Sequence, residues 1–228
     1  MTTTDSEPSA WYVVGGWTHV RPGAACRVVL QGVEIALWRT QAGALHAWDN
    51  RCPHRGVRLS LGIVKGDRLA CRYHGWHYDE GGRCRFMPAH PNLDPPATLA
   101  VAHYATQEQD EAIWVALGGA PAAPPLRLGT DRPAFCRSIH LSLGAEAAAD
   151  MLARLTGAAP VAPGLMQVWP EIAGSDRAVT LAVQPIDETT TALHVFLDGG
   201  PDAAARLAAV RWTVDVRWRI GSETGVEA

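Results

Sequence analysis

The sequence predicts a mainly β chain of the α+β class, in which an antiparallel β domain precedes a smaller α+β domain. In the first half, short runs of β-branched and aromatic residues lie on either side of turn-forming pairs such as Gln31-Gly32. In the second half, an Ala- and Leu-rich run at residues 145–155 is typical of a helix, and alternating runs are typical of strands. Prolines near residues 118–125 indicate a linker. We therefore place the first domain at residues 10–118, the linker at 119–125 and the second domain at 126–228.

Hairpins account for most of the predicted first domain. Paired strands flank short turns at residues 11–14 with 17–20 (around Gly15-Gly16), at 26–30 with 33–38, and at 76–78 with 83–86. Residues 44–48 and 112–117 add single strands. The predicted scaffold is a small antiparallel sheet whose turns can present side chains at their tips.

The second domain is predicted to combine a hairpin with helices. Residues 179–183 and 193–197 alternate and form the hairpin, and residues 202–210 form a short helix. Residues 211–220 alternate Trp, Val and Ile with polar residues, which is typical of a strand with one packed face and one wet face. A segment of about a hundred residues is long enough for a small domain.

Composition and charge favour a protein without a nucleic-acid partner. The chain has 228 residues, of which 47% are hydrophobic, and its formal net charge of -3 gives no basic surface for nucleic acid or an anionic membrane. Residues 1–10 lack the basic start and apolar core of a signal peptide, and no run of about eighteen apolar residues occurs. We expect a cytoplasmic protein without a membrane anchor.

Two short segments each carry one cysteine and one histidine. One residue separates Cys52 from His54, two separate Cys71 from His74, and sixteen lie between the segments. In one class of [2Fe–2S] cluster, two histidines replace two cysteines on one iron, which raises the reduction potential. Each segment can give one ligand to each iron. The predicted cofactor and metal ligands are Cys52, His54, Cys71 and His74, and no catalytic residue is predicted.

A tetrahedral zinc site is the alternative, since two Cys and two His also satisfy zinc. Zinc fingers, however, favour a closely spaced pair of cysteines and a closely spaced pair of histidines, whereas each segment here offers one of each. The spacing therefore favours the cluster.

The two segments resemble the Rieske domain of the Rieske non-haem iron oxygenases. The similarity rests on Cys-Pro-His-Arg-Gly at residues 52–56 and Cys-Arg-Tyr-His-Gly-Trp at residues 71–76, and it extends over residues 11–118. Respiratory and photosynthetic Rieske proteins carry an extra cysteine in each loop, but Val57 and Tyr73 stand at those positions here. The resemblance implies one [2Fe–2S] cluster that takes electrons from a reductase or ferredoxin and passes them to a mononuclear iron. It also implies an oligomer, either a trimer or a mixed assembly.

Two aromatic residues next to the predicted ligands are candidates for a supporting role. Tyr73 and Trp76 could shield the cluster or donate hydrogen bonds to it, which would tune its potential. Packing alone explains both residues equally well.

The second domain resembles a shortened catalytic domain of the same family, which is helix-grip-like. The family's iron-binding fingerprint is similar to Glu146-x3-Asp150, but its two histidine positions are Ala153 and Ala158 here. Alanine has no lone pair for a metal, so we expect no mononuclear iron. In the family, the aspartate at the position of Asp150 connects the Rieske histidine of one subunit to the iron of the next. Asp150 is therefore a possible relic of that relay, although a solvated helix explains it equally well.

Three functions remain open at this point. The first is an electron-transfer protein or subunit of an oxygenase-type system, which gives its electron to the iron of another chain such as a full-length oxygenase. The second is an oxygenase with an atypical metal site that hydroxylates or demethylates a small organic substrate. The third is a redox-idle structural subunit of a mixed oligomer.

Overall fold

The computed structural model describes residues 10–118, 120–172, 176–200 and 202–225, which divide into two compact units. The first unit contains Thr18–Gln107 and Val115–Ala122, and the second contains Ala10–Trp17, Glu108–Trp114 and the chain from Ala123 onward. Residues 1–9, on which the expectation about a signal peptide depends, and Gly119 of the predicted linker lie outside the described residues. No helix among the described residues is long and apolar enough to cross a membrane.

The regular structure of the described residues consists mainly of strands. The strands up to the linker are β1 (Trp11–Gly16), β2 (Ala25–Leu30), β3 (Val33–Arg39), β4 (Leu45–Asp49), β5 (Ile63–Lys65), β6 (Arg68–Ala70), β7 (His77–Tyr78), β8 (Cys84–Phe86), β9 (His103–Gln109) and β10 (Ala112–Ala116). Those after it are β11 (Ala134–Leu141), β12 (Ala159–Ala162), β13 (Leu165–Val168), β14 (Val179–Pro185) and β15 (Thr191–Leu197). The two α-helices are α1 (Ala145–Thr156) and α2 (Ala203–Thr224).

The first unit contains two antiparallel sheets. Strands β9, β4, β3 and β2 lie side by side in that order, and a small sheet has the order β5-β6-β7-β8. The β2–β3 turn confirms the predicted hairpin: Gln31 and Gly32 have φ values of 50° and 77°, as a two-residue hairpin turn requires. The β7–β8 hairpin is also confirmed. The largest buried side chains at the centre of this unit are Trp38, Trp48, Tyr78, Leu59 and Leu69.

The predicted hairpin around Gly15-Gly16 is wrong. Strand β1 continues through both glycines, and a short 3₁₀ turn, Trp17–His19, follows it. A Cβ at Gly16 would lie 2.3 Å from the Phe135 ring. Gly16 is therefore required for close packing and not for a turn.

The second unit is a five-stranded antiparallel sheet with two helices. The strand order is β11-β15-β14-β13-β12, and β14 and β15 form the predicted hairpin. The predicted helix at residues 145–155 is confirmed as α1, and both helices contribute to one core with the sheet. Val13, Trp114 and Phe196 belong to a further apolar cluster of this unit. The predicted α+β class is thus observed.

The predicted strand at residues 211–220 is wrong, because α2 runs through it as one helix. Asp202 caps the helix, since its side chain accepts hydrogen bonds from the backbone N–H groups of Ala204 and Ala205. The alanine-rich start favours a helix, and the buried positions then recur every three or four residues. These buried residues are Ala205, Ala209, Thr213, Val216 and Ile220. The alternation of Trp and Val was therefore a misleading signal.

Candidate metal centre

The first cysteine segment forms a tight loop, loop 1 (residues 52–57). The backbone N–H of Cys52 donates to the carbonyl of Val57 at 2.9 Å, and the N–H of Gly56 donates to the carbonyl of Cys52 at 2.8 Å. Gly56 has φ of 71°, a value that side chains disfavour. The loop therefore turns back on its own cysteine.

The second segment, loop 2 (residues 71–76), repeats this backbone frame. Cys71 N–H donates to the carbonyl of Trp76 at 2.8 Å, and Gly75 N–H donates to the carbonyl of Cys71 at 2.9 Å. Gly75 has φ of 69°. The two loops thus have matching main chains, although the histidine follows its cysteine by two residues in loop 1 and by three in loop 2.

Polar contacts of the residues that flank loop 1 hold it against the rest of the first unit. Asn50, which is fully buried, accepts a hydrogen bond from the N–H of Ser60 at 2.8 Å. Arg58 donates two hydrogen bonds to the carboxylate of Glu34, at 2.9 and 2.7 Å. The hydrogen bonds from Arg58, and then from Arg27, lower the pKa of Glu34 to about 2.

The four predicted ligands form an inner pair and an outer pair. Cys52 and Cys71 are buried, at 3% and 2% exposure, within the core of the first unit. His54 is half-buried and His74 is exposed, and their ring centroids are 4.6 Å apart. The sulfur atoms therefore lie in the protein interior and the imidazoles lie towards solvent.

The pKa shifts of these groups differ in their effect on metal binding: that of His54 favours the form that binds a metal, whereas that of Cys71 opposes it. Burial raises the pKa of Cys71, and the N–H groups of Tyr73 and His74, which donate hydrogen bonds to this thiol, act in the opposite direction. Burial, followed by the nearby His74 and Arg55, lowers the pKa of His54 and favours the neutral imidazole. Metals bind the thiolate and the neutral imidazole, and an N–H group directed at sulfur stabilises the thiolate.

The donor set fits a [2Fe–2S] cluster with two thiolates and two imidazoles. Such a cluster requires only two protein ligands at each iron, one pair inside and one pair outside. Within the described ranges, no three His, Cys, Asp or Glu side chains are grouped to hold a single metal ion. The cluster would therefore be held by the two buried sulfurs on one side and the two imidazoles on the other.

Tyr78 contacts one of the sulfurs, which the sequence analysis did not anticipate. Its hydroxyl lies 3.1 Å from Cys52 Sγ, and its side chain is fully buried. Burial, and then the contact with Cys52, raises the pKa of Tyr78, so its proton is retained as a donor. The available signal was its position in the strand directly after loop 2, where a buried hydroxyl needs a partner.

The two aromatic residues singled out in the sequence both contact a histidine. The Trp76 ring stacks on His54, with centroids 4.2 Å apart and planes 5° apart. The Tyr73 ring is 3.9 Å from His74 but remains 59% exposed. Trp76 therefore restricts the ring of His54, whereas Tyr73 leaves His74 open to solvent.

The fingerprint positions of the second unit are only partly brought together. Glu146, Asp150 and Ala153 line a cavity of about 570 Å³ beside α1. Ala158 lies beyond the helix end and is buried in the core. The two alanines therefore do not face a common space.

Neither His140 nor His194, on the five-stranded sheet of the second unit, lines this cavity. His194 is buried, and its ring nitrogens lie 2.6 Å from Ser138 Oγ and 2.7 Å from Gln184 Oε1. His140 is exposed on β11. The contacts of His194 are those of a core residue whose polar atoms are satisfied.

Comparison with known proteins agrees with this arrangement. Residues 10–105 match the Rieske [2Fe–2S] domain. The oxidoreductase NdmD of Pseudomonas putida is 40% identical over 115 residues, which are 50% of this chain and 20% of NdmD. The 4beta-methylsterol monooxygenase of Methylococcus capsulatus is 39% identical over 127 residues, 54% of this chain and 33% of that protein. The chain thus spans only about a fifth to a third of the curated relatives it matches.

The solved structures extend the fold similarity to both units. NdmA of Pseudomonas putida CBB5 with caffeine has a TM-score of 0.72 at 20% identity, covering 96% of this chain and 83% of NdmA. Dicamba monooxygenase has a TM-score of 0.64 at 21% identity, covering 96% of this chain and 90% of that chain. The chain therefore contains a Rieske [2Fe–2S] domain at residues 10–105. Its sequence relatives and structural neighbours include Rieske non-haem iron oxygenases.

Proposed function

We propose that this chain is an electron-transfer protein or subunit of an oxygenase-type system, with one [2Fe–2S] cluster and no mononuclear iron of its own. The observation that carries the proposal is the pairing of two buried thiols with two outward imidazoles on loops of matching backbone. The cluster would be held by Cys52, His54, Cys71 and His74. Its electron donor would be a reductase or ferredoxin, and its acceptor an iron in another chain, such as a full-length oxygenase subunit.

The residues around the cluster support one-electron exchange at the surface. A [2Fe–2S] cluster supplies storage for one electron. Tyr78 and the N–H groups of Tyr73 and His74 stabilise negative charge on the sulfurs. His54 and His74 lie on the outer side, so a docked partner would approach through the imidazoles.

Alanine at both histidine positions supports the absence of a second iron. Ala153 faces the cavity beside α1 and offers no lone pair, and Ala158 is buried in apolar surroundings. Glu146 and Asp150 alone would leave an iron with too few protein ligands. Asp150 would then be only a relic of the relay between subunits.

A second candidate is an oxygenase with an atypical metal site. The observation that favours it is the cavity of about 570 Å³ beside α1, which is in the usual size range for small-molecule pockets and is lined mainly by apolar residues. Two carboxylates at its edge could contribute to a metal site. Small organic molecules would be its substrates.

Iron and sulfide analysis of the purified holoprotein distinguishes these functions. Two irons and two acid-labile sulfides per chain, the content of one cluster, are expected. A third iron that is lost in the Glu146→Ala/Asp150→Ala variant, together with substrate-dependent O₂ consumption, would overturn the proposal in favour of the oxygenase. A cluster that neither dithionite nor a reductase can reduce would instead support the redox-idle role.

A further inference from the structure

The cavity of about 570 Å³ beside α1 combines an apolar wall with two negative charges. The wall is formed by small residues of α1 and by apolar residues of β12, β13 and β14, namely Ala145, Ala149, Ala153, Ala162, Leu165 and Val183. Glu146 and Asp150 are the charged members of the lining, and the described residues add no lysine, arginine or histidine to it. A ligand of this cavity therefore meets apolar surface and negative charge but no protein cation.

The two carboxylates lie on one face of α1 without a counter-ion. Glu146 and Asp150 are four residues apart, so they are neighbours on the helix surface, where like charges repel each other. Neither side chain forms an ion pair or a hydrogen bond with the part of the chain that the structure describes. Arg154 is four residues beyond Asp150, but its guanidinium is paired with Glu223 of α2. The two carboxylates are therefore available to a cation from outside the chain.

Two carboxylates alone do not make a site for a metal ion. Hard cations such as Ca²⁺ take about six to eight oxygen ligands. Within the described ranges, no third His, Cys, Asp or Glu side chain is grouped with Glu146 and Asp150 to hold a metal. The pair therefore suits a cation that brings its own apolar surface.

A protonated amine with an apolar body matches both parts of the lining. Its ammonium group donates several hydrogen bonds and can reach both carboxylates, which removes their mutual repulsion. Its apolar body loses water against the alanine-rich wall, a contribution that grows with the apolar area buried. Tyr12 adds an aromatic ring to the lining, and the faces of aromatic rings attract cations. The volume of the cavity is in the usual range for small-molecule pockets.

We propose that this cavity binds a small organic amine in its protonated form, with the ammonium group held between Glu146 and Asp150. Because no iron would be present to act on it, the amine would be bound and released unchanged. The proposal rests on one part of the proposed function, the absence of a mononuclear iron, since an iron would occupy the same carboxylates. It does not depend on electron transfer by the cluster.

Isothermal titration calorimetry on the holoprotein at neutral pH tests the charge preference with three ligands of similar size. Phenethylamine is a cation at this pH, phenethyl alcohol is neutral and phenylacetate is an anion. The amine should bind at least about ten-fold more tightly than the alcohol, because two unpaired carboxylates attract it, and the anion should bind most weakly. Iron analysis of the same sample shows whether a metal occupies the site.

Substitutions in the lining separate the charge of the cavity from its shape. The Glu146→Gln/Asp150→Asn variant should bring the affinities for amine and alcohol to within about two-fold of each other, because it removes both charges and keeps the side-chain shapes. Glu171→Gln/Asp215→Asn is the matched control, since both residues are exposed acids outside the lining, and it should keep the preference. Ala153→Leu should weaken the binding of amine and alcohol alike, about five-fold or more, since the larger side chain takes up part of the cavity. The far-UV spectrum of each variant verifies its fold.

The possible outcomes distinguish this inference from the proposed function. No measurable binding of the amine, equal affinity for amine and alcohol, a preference that survives Glu146→Gln/Asp150→Asn, or its loss in the control would each overturn the inference alone. Binding that Ala153→Leu leaves unchanged would also overturn it, because the amine would then lie outside the cavity. A third iron that is lost in the Glu146→Gln/Asp150→Asn variant would overturn both the inference and the proposed function.

Discussion

Loop 1 and loop 2 share a backbone but stabilise their sulfurs in different ways. Both close with the same pair of main-chain hydrogen bonds and a glycine at positive φ. The Cys52 sulfur is contacted by the side chain of Tyr78, whereas the Cys71 sulfur accepts hydrogen bonds from the N–H groups of its own loop. The main chain thus positions the two sulfurs equivalently, while their electrostatic surroundings depend on different parts of the molecule.

The loops also differ in how tightly the surrounding chain confines them. A Cβ at Gly75 would lie 3.0 Å from Pro88, but no atom of the residues that the structure describes lies within 4 Å of a Cβ at Gly56. The histidine of loop 1 is covered by Trp76, whereas that of loop 2 contacts an exposed tyrosine. Substitutions at equivalent positions of the two loops should therefore have unequal effects on the stability of the protein.

Substitution of either cysteine is expected to have the largest effect, and the effect should be the same in the two loops. Cys52→Ser and Cys71→Ser should each abolish the cluster, because each removes one thiolate of the pair that is proposed to hold one iron. Cys84→Ser is the matched control, since Cys84 is also 3% exposed in the same core but is not a predicted ligand. Visible absorption and EPR of the reduced protein provide the measurement. Retention of the cluster in either ligand variant, or its loss in Cys84→Ser, would contradict the assignment.

Substitution of Gly56 or Gly75 by alanine should destabilise the protein by different amounts. Gly56→Ala should cost about 1 kcal/mol of unfolding free energy, because a side chain disfavours positive φ. Gly75→Ala should cost about 2–3 kcal/mol, since its methyl group must also displace Pro88. Urea unfolding of the holoproteins measures both values. Equal losses would show that the contact with Pro88 relaxes without cost.

Removal of the Tyr78 hydroxyl should affect the potential of the cluster. A hydrogen bond to a ligand sulfur stabilises the reduced, more negative state. A bond of about 1 kcal/mol corresponds to roughly 40 mV for one electron, so Tyr78→Phe should lower the potential by a few tens of mV. Tyr73→Phe is the control, because the Tyr73 side chain is 59% exposed and its ring contacts His74. A redox titration that gives the same potential for Tyr78→Phe and wild type would refute this role.

The smallest effect concerns the ion pair that anchors loop 1. Glu34→Gln should lower stability at neutral pH by about 0.5–1 kcal/mol, the usual value for an exposed pair. The pKa of Glu34 is depressed, so its stabilisation is present above its unfolded value of about 4.5 and is lost as the pH falls towards about 2. The difference between variant and wild type in urea should therefore shrink across that window. A difference that stays constant with pH would indicate that the carboxylate charge is not involved.

Local sequence signals predicted the elements whose structure depends on local geometry. Gln31-Gly32 indicated a hairpin turn because few residue pairs adopt positive φ twice in succession, and residues 145–155 indicated a helix from composition alone. The four candidate ligands followed from spacing, since a cluster restricts which donors each loop can offer. These features required no knowledge of distant parts of the chain.

Features that depend on contacts distant in sequence could not be predicted in this way. The Gly15-Gly16 pair predicted a turn from local sequence alone. The actual reason for Gly16 is its close approach to the ring of Phe135, which lies more than a hundred positions away in the chain. Residues 211–220 fit a period of two, whereas the alanine-rich start of α2, the cap at Asp202 and the core packing favour the helical period. The contact between Tyr78 and Cys52 depends on where loop 1 and β7 meet, which the local pattern does not reveal.

Both cysteine sulfurs are buried, whereas His54 and His74 reach the surface, and this difference has a consequence for handling the protein in air. Peroxide or superoxide diffusing from bulk water would meet the imidazole side of the proposed cluster before it could approach either sulfur. Oxidative damage should therefore begin with release of the outer iron, leaving the cysteines unmodified and able to accept a new cluster when iron and sulfide are supplied anaerobically.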